Sequence, residues 1–270
     1  MRAGVLGCAW ILAALALAAP GSAQVAALQV VPDHVGNVFA YSYALHGETA
    51  HGIQDVSTIV TLTRTNASSL AIRERSKSGD SAVILAQIAD DGMLAPTTHV
   101  DPADLPAAYA AIESGLGVVR SMPAGAVTGA SWNAKLAAAA VRGVESAFPV
   151  TITATAVSAV STDLHLLGTR TQTIQPASAE GDAQNGAGNA DFSHVGRQGD
   201  MSGAHDSGPQ QPFHIKTTVE ESLHFTDGRL TSAEGSITAT ADGAKTVVDL
   251  AWSLERDAAD ESTAPGDGGK

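Results

Sequence analysis

Apolar and polar side chains alternate along most of this chain with the two-residue period of β-strands. The alternation is clear over residues 39–45, 56–65, 150–156, 213–225 and 248–254. Successive side chains of a strand point to opposite faces, so each segment predicts a strand with one face in a core and the other in solvent. Turn-forming dipeptides such as Asp227-Gly228 follow alternating segments and predict the turns between strands.

The pattern predicts a mainly β fold: an antiparallel curved sheet, half-barrel or sandwich of about eight strands, with one or two short helices in the middle. Helical spacing is found in the sequence at Leu105, Tyr109, Ile112 and Leu116, and the glycines at 115 and 117 are expected to end that helix. The Ala-rich stretch 132–144 is compatible with either a helix or a strand.

The first residues have the layout of a secretory signal peptide. Arg2 precedes an apolar run from Val5 to Ala19, and small residues stand before a cleavage position after Ala23. The run of about 15 residues is shorter than the roughly 20 needed to cross a bilayer. Residues 1–23 are therefore predicted to be removed, leaving no stable membrane anchor.

Two further segments lack apolar periodicity. Residues 175–212 are rich in Gly, Ala, Asp, Asn, Gln and Ser, and residues 256–270 have a similar composition. Such segments bury too little apolar surface to offset their ordering entropy. The sequence thus predicts one β-rich domain formed by 24–174 and 213–255, interrupted by a disordered insertion and followed by a disordered tail.

Charge and cysteine content limit the environment and the partners. Cys8 is the one cysteine and lies in the predicted signal peptide, so the mature chain forms no internal disulfide. The formal net charge is −13, and loss of Arg2 makes it −14. This acidity disfavours nucleic acid as a partner. A disulfide-free exported chain fits a bacterial periplasm or secreted fraction.

The best local candidate for chemistry is a metal site. His46, Glu48 and His51 lie within six residues, and Gly47 and Gly52 predict a hairpin loop around them. Imidazole and carboxylate groups bind zinc or copper, although a further ligand would have to come from elsewhere in the chain. No cofactor is predicted apart from this possible transition metal.

Two other groups of polar residues favour structural interpretations. Ser161, Asp163 and His165 stand at i, i+2 and i+4 of a predicted strand, about 6.5–7 Å apart, which is too far for a catalytic triad. Glu220 and Glu221 point to opposite faces of their strand. Glu221 is thereby expected on the apolar face, at a bulge or within a cavity.

These observations predict a non-catalytic exported protein that binds an apolar small molecule or an envelope protein partner on its sheet. The alternative is a metal-dependent hydrolase or other metalloenzyme that uses the 46–51 loop.

Overall fold

The computed structural model describes residues 27–49, 52–76, 79–80, 83–89, 94–98, 100, 105–136, 148–174, 213–242 and 246–257. The described residues form one helix and twelve strands. The elements are β1 (Val38–Thr49), β2 (Gly52–Asn66), β3 (Ser69–Ser76), β4 (Gly79–Asp80), β5 (Ile84–Ile88), β6 (Leu94–Pro96), α1 (Tyr109–Ser121), β7 (Ser131–Leu136), β8 (Phe148–Val157), β9 (Ser161–Ile174), β10 (Phe213–Thr226), β11 (Arg229–Ala241) and β12 (Thr246–Arg256).

All strands belong to one open antiparallel sheet, which confirms the predicted fold class. Eleven strands follow one another in the order β6-β5-β3-β2-β1-β12-β11-β10-β9-β8-β7, and β4 pairs with β3 beside this path. The expected count of eight was too low. The additional strands are short ones near the sheet edges, such as the three-residue β6, and so few residues give no readable alternation.

The sheet curves around the helix. If the sheet were flat, its eleven consecutive strands would span about 48 Å from β6 to β7, because neighbouring strands lie about 4.8 Å apart. However, the strands at both ends of the path contact α1: Tyr109 donates a hydrogen bond to the Leu94 carbonyl of β6 (2.6 Å), and Trp132 Nε1 of β7 donates one to Ser121 Oγ (3.1 Å). A 13-residue helix is only about 20 Å long, so the sheet must wrap round it.

The helix differs from its expected bounds. It does not end at Gly115 or Gly117 but runs to Ser121. A Cβ at Gly115 would lie 3.2 Å from Val30 Cγ1 and 3.7 Å from Leu223 Cδ2. Close packing against the sheet and against the segment before β1 thus outweighs the low helix propensity of glycine. Of the stretch 132–144, the described residues up to Leu136 form a strand.

The core lies between the inner (concave) face of the sheet and two covering pieces, α1 and the segment 27–31. Val30 of that segment is 1% exposed and accepts a hydrogen bond from the Tyr41 hydroxyl (2.8 Å). An isolated parallel bridge joins Gln29 to Arg229. The inner face is therefore covered by both pieces.

Several sequence predictions fall outside the described residues: the signal peptide at 1–23, the insertion 175–212, and the tail beyond Asp257. They stay predictions. Among the described helical residues, no segment is long and apolar enough to span a bilayer.

Candidate functional site: a buried carboxyl group under the helix

One row of inner-face residues crosses eight strands of the sheet and contains a single ionisable side chain. Its members stand directly opposite one another from strand to strand. In spatial order they are Trp132, Ile152, Leu166, Glu221, Gly235, Trp252, Leu45 and Val56. Glu221 thus interrupts an otherwise uncharged row near the centre of the sheet.

Glu221 is buried on the same face as Val219 and Leu223, as its position in the strand predicted. Only 3% of the residue is exposed. Its Oε2 accepts a hydrogen bond of 2.7 Å from the Ser114 hydroxyl of α1. Burial raises the pKa of Glu221 from 4.5 to about 7, because desolvation disfavours the carboxylate, and the bond from Ser114 opposes part of that rise. Near neutral pH the group therefore exchanges a proton inside the core.

The indole of Trp252 lies over Gly235, beside Glu221 in the same row. A Cβ added to Gly235 would lie 2.6 Å from Trp252 Nε1. Since Gly235 has no side chain, no β11 side chain separates the indole from the row position of Glu221. Trp252 is 4% exposed, and its Nε1 has no hydrogen-bond partner in the described part of the chain. We call Glu221, Ser114 and Trp252 the interior polar site.

The interior polar site has unused hydrogen-bonding capacity. A carboxyl group offers about four acceptor positions, and an indole N–H is a donor only. Ser114 uses one acceptor position of Glu221, while the indole donor is unused among the described residues. Buried polar groups are nearly always satisfied in folded proteins, so a small molecule or group that both donates and accepts would complement this site.

Further polar contacts join α1 and the residues just before it to the sheet. Besides the bonds already described, the Leu94 amide donates to Glu113 Oε1 (2.8 Å). The Ala107 amide, just before the helix, donates to the Glu74 carboxylate of β3 (3.3 Å). The N-cap residue Ala108 contributes no side-chain cap. The sheet therefore supplies the negative charge that a helix N-terminus favours.

The outer face of β9 and β10 carries two histidine–carboxylate pairs. His165 Nε2 lies 2.9 Å from Glu220 Oε1, and His224 Nδ1 contacts Asp163 Oδ1. These cross-strand pairs agree with a solvated polar stripe rather than a triad. An open depression of about 480 Å³ is bordered by Asp163, His165 and His224 together with Glu234.

The predicted metal ligands are only partly brought together. His46 and Glu48 are exposed on the outer face of β1, opposite Asp55 and Ile53 of β2, whereas His51 lies outside the described residues. The expectation that all three stand in a loop was wrong for His46 and Glu48. Gly47 pairs with both β2 and β12, and position 47 requires glycine because an added Cβ would lie 2.0 Å from the Asp249 carbonyl oxygen.

No metal centre is assembled in the described ranges. Among those residues, no group of three or more His, Cys, Asp or Glu side chains is arranged to hold a metal ion. Exposed His46 and Glu48 thus provide two ligand types on one face but not a coordination set.

Sequence reasoning located Glu221 but missed its partners. Ser114 is 107 positions away from Glu221, and no local pattern connects them. A glycine at 235 within an apolar alternation was the available signal, because glycine inside a strand often marks a close approach of another group.

The fold and the interior polar site define a β-sheet protein wrapped around a short helix, with the carboxyl group of Glu221 buried between them. No protein-family model matches the chain. No curated protein is significantly similar to it in sequence.

Proposed function

We propose that this chain is an exported, non-catalytic binding protein that carries an apolar small molecule against the inner face of its sheet. The observation that carries the proposal is the way in which that face is covered by other parts of the chain. Apolar side chains of the inner face are covered by the segment 27–31 and by α1, and α1 contains Gly115 and Gly117. Each glycine lowers helix stability by about 1 kcal/mol relative to alanine.

Helix α1 is the part of this cover that is suited to leave the sheet. A helix of 13 residues is marginal on its own, so α1 depends on its packing. Ligand sites are concave and mainly apolar, with few polar groups that orient the ligand. The inner face and the interior polar site meet this description once α1 moves aside. Export to a periplasm or the medium is proposed from the first 23 residues.

The test is to purify the exported chain without detergent and to extract it for lipid mass spectrometry. A second assay titrates it with N-phenyl-1-naphthylamine, which fluoresces in apolar surroundings. We expect a co-purifying apolar compound and saturable fluorescence at one probe per chain. If the extract contains no such compound and the probe does not bind, the proposal is wrong, and an envelope protein partner becomes the better candidate.

The alternative, a metalloenzyme that uses His46, Glu48 and His51, stands second. Its support is that His46 and Glu48 share one exposed face of β1. Stoichiometric zinc or copper that is lost on His46→Ala would favour it.

A further inference from the structure

We propose that the apolar ligand bears a hydroxyl group, and that this hydroxyl takes the place of the Ser114 hydroxyl on Glu221 when the ligand displaces α1. This inference rests on the proposed function and names the ligand class. The juxtaposition that carries it is a buried carboxyl group, an aliphatic hydroxyl hydrogen-bonded to it, and beside it an indole donor with no partner among the described residues.

Helix α1 itself presents to the sheet the two features expected of such a ligand, an apolar surface and a hydroxyl group. Most side chains of α1 around Ser114 are apolar or absent: Ala111, Ile112, Gly115, Leu116 and Val118 are buried, and the buried carboxylate of Glu113 accepts from the Leu94 amide instead. Ser114, itself 1% exposed, contributes an alcohol to Glu221 from within this apolar surface. The helix is therefore an internal competitor that imitates an apolar alcohol.

A ligand hydroxyl can satisfy the site better than Ser114 does. A hydroxyl donates one hydrogen bond and accepts two. It can donate to Glu221 while it accepts from Trp252 Nε1, whose hydrogen-bonding capacity Ser114 leaves unused. Leaving a buried donor unpaired is costly, so the ligand gains a bond that the helix does not make.

The same reasoning excludes a ligand that ends in a carboxylate, in a bare hydrocarbon or in a methyl ether. A second carboxylate would be repelled by Glu221 in its ionised form. A pure hydrocarbon would leave both Glu221 and Trp252 unsatisfied. A methyl ether can accept from Trp252 but cannot donate to Glu221. The discriminating pair of ligands is thus an alcohol and its methyl ether.

The experiment measures displacement of N-phenyl-1-naphthylamine by dodecan-1-ol and by 1-methoxydodecane. In the unaltered protein we expect the alcohol to bind about tenfold more tightly than the ether. Glu221→Leu is expected to bring this ratio close to one, whereas Trp252→Phe removes a donor that serves both compounds and should weaken both while leaving their ratio near tenfold. Affinity for the ether, measured in the same variants, reports whether each still folds and binds apolar chains.

Ser114→Ala tests the competition itself. It weakens the helix as a competitor, so affinity for dodecan-1-ol should rise several-fold. Ser236→Ala is the control, because Ser236 lies on the outer face of β11, opposite Glu220 and Ala251 and away from α1. Unchanged or lower alcohol affinity in Ser114→Ala would overturn the displacement.

The outcomes separate the two proposals. Equal binding of alcohol and ether by the unaltered protein would overturn the hydroxyl-specific site and leave the apolar binding function standing. If neither compound displaces the probe and the probe itself does not bind, both proposals fail.

Discussion

Trp252 places its indole nitrogen directly over Gly235, where any larger residue would put a Cβ 2.6 Å from that nitrogen. The two residues stand opposite each other on β12 and β11. Glycine at 235 is thus required by the aromatic ring across from it, rather than by a turn or an unusual backbone conformation.

Gly235→Ala is expected to lower the free energy of unfolding by about 2 kcal/mol, because overpacking forces the indole out of its position. Urea denaturation followed by far-ultraviolet circular dichroism measures the change. Ser236→Ala, on the outer face of the same strand, is the control and should change stability by less than about 0.5 kcal/mol.

A double-mutant cycle tests whether the contact with Trp252 causes the destabilisation by Gly235→Ala. If the indole is the obstacle, Gly235→Ala should cost less when Trp252 is already phenylalanine, since a smaller ring leaves room for the methyl group. Strict additivity of the two substitutions would show that the contact is not responsible.

Glu221 should make stability depend on pH. Its pKa is about 7 in the folded protein and near 4.5 when exposed. Between these values the folded protein holds a proton that the unfolded chain has released. The free energy of unfolding therefore falls as pH rises from about 4.5 to about 7, by about 3 kcal/mol in all, and levels off at higher pH.

Glu221→Gln removes that titration. The difference in free energy of unfolding between the variant and the unaltered protein should grow from pH 4.5 to pH 7, in favour of the variant. Glu234→Gln, which changes an exposed carboxyl group on the outer face of β11, is the control for the loss of a negative charge. Parallel curves for Glu221→Gln and the unaltered protein would contradict a buried titrating carboxyl group.

A reversible cross-link tests whether α1 must move. The Cβ position of Gly115 lies 3.7 Å from Leu223 Cδ2, the end of that side chain, so cysteines at both positions face each other, and a disulfide forms if the backbone brings their Cβ atoms to about 3.5–4.5 Å. The chain has no other cysteine after Cys8. In the Gly115→Cys/Leu223→Cys variant we expect probe binding to be lost on oxidation and regained on reduction.

The two single-cysteine variants, treated in the same way, control for the substitutions themselves. Full binding by the oxidised double variant, with the disulfide verified by mass spectrometry, would place the ligand outside the inner face.

Metal content distinguishes the alternative function. His46 and Glu48 stand two positions apart on one strand face, about 6.5–7 Å from each other along the chain. We expect substoichiometric zinc and copper by elemental analysis, with equal amounts in the unaltered protein, His46→Ala and the control His34→Ala. One tightly held ion per chain, lost only in His46→Ala, would refute this expectation.

The sequence predicted those features that depend on local periodicity. The alternation around Tyr41 and Tyr43, or around Trp252 and Leu254, records which side of a strand faces the core, and it also placed Glu221 inside. The extent of α1 was not predictable, because Gly115 continues the helix only through its contacts with Val30 and Leu223. The interior polar site depends on contacts between distant positions, which no local pattern encodes.

The pairing of β1 with β12 joins the first and last strands of the described chain at the middle of the sheet, through residues 41–49 and 248–256. During synthesis from the N-terminus, the strands before and after α1 can pair only into two separate sheets until the final strand is available. Strand β12 joins these two sheets into one. A nascent or shortened chain without it would leave β1 and β11 with open edges of the kind that recruit other chains into aggregates.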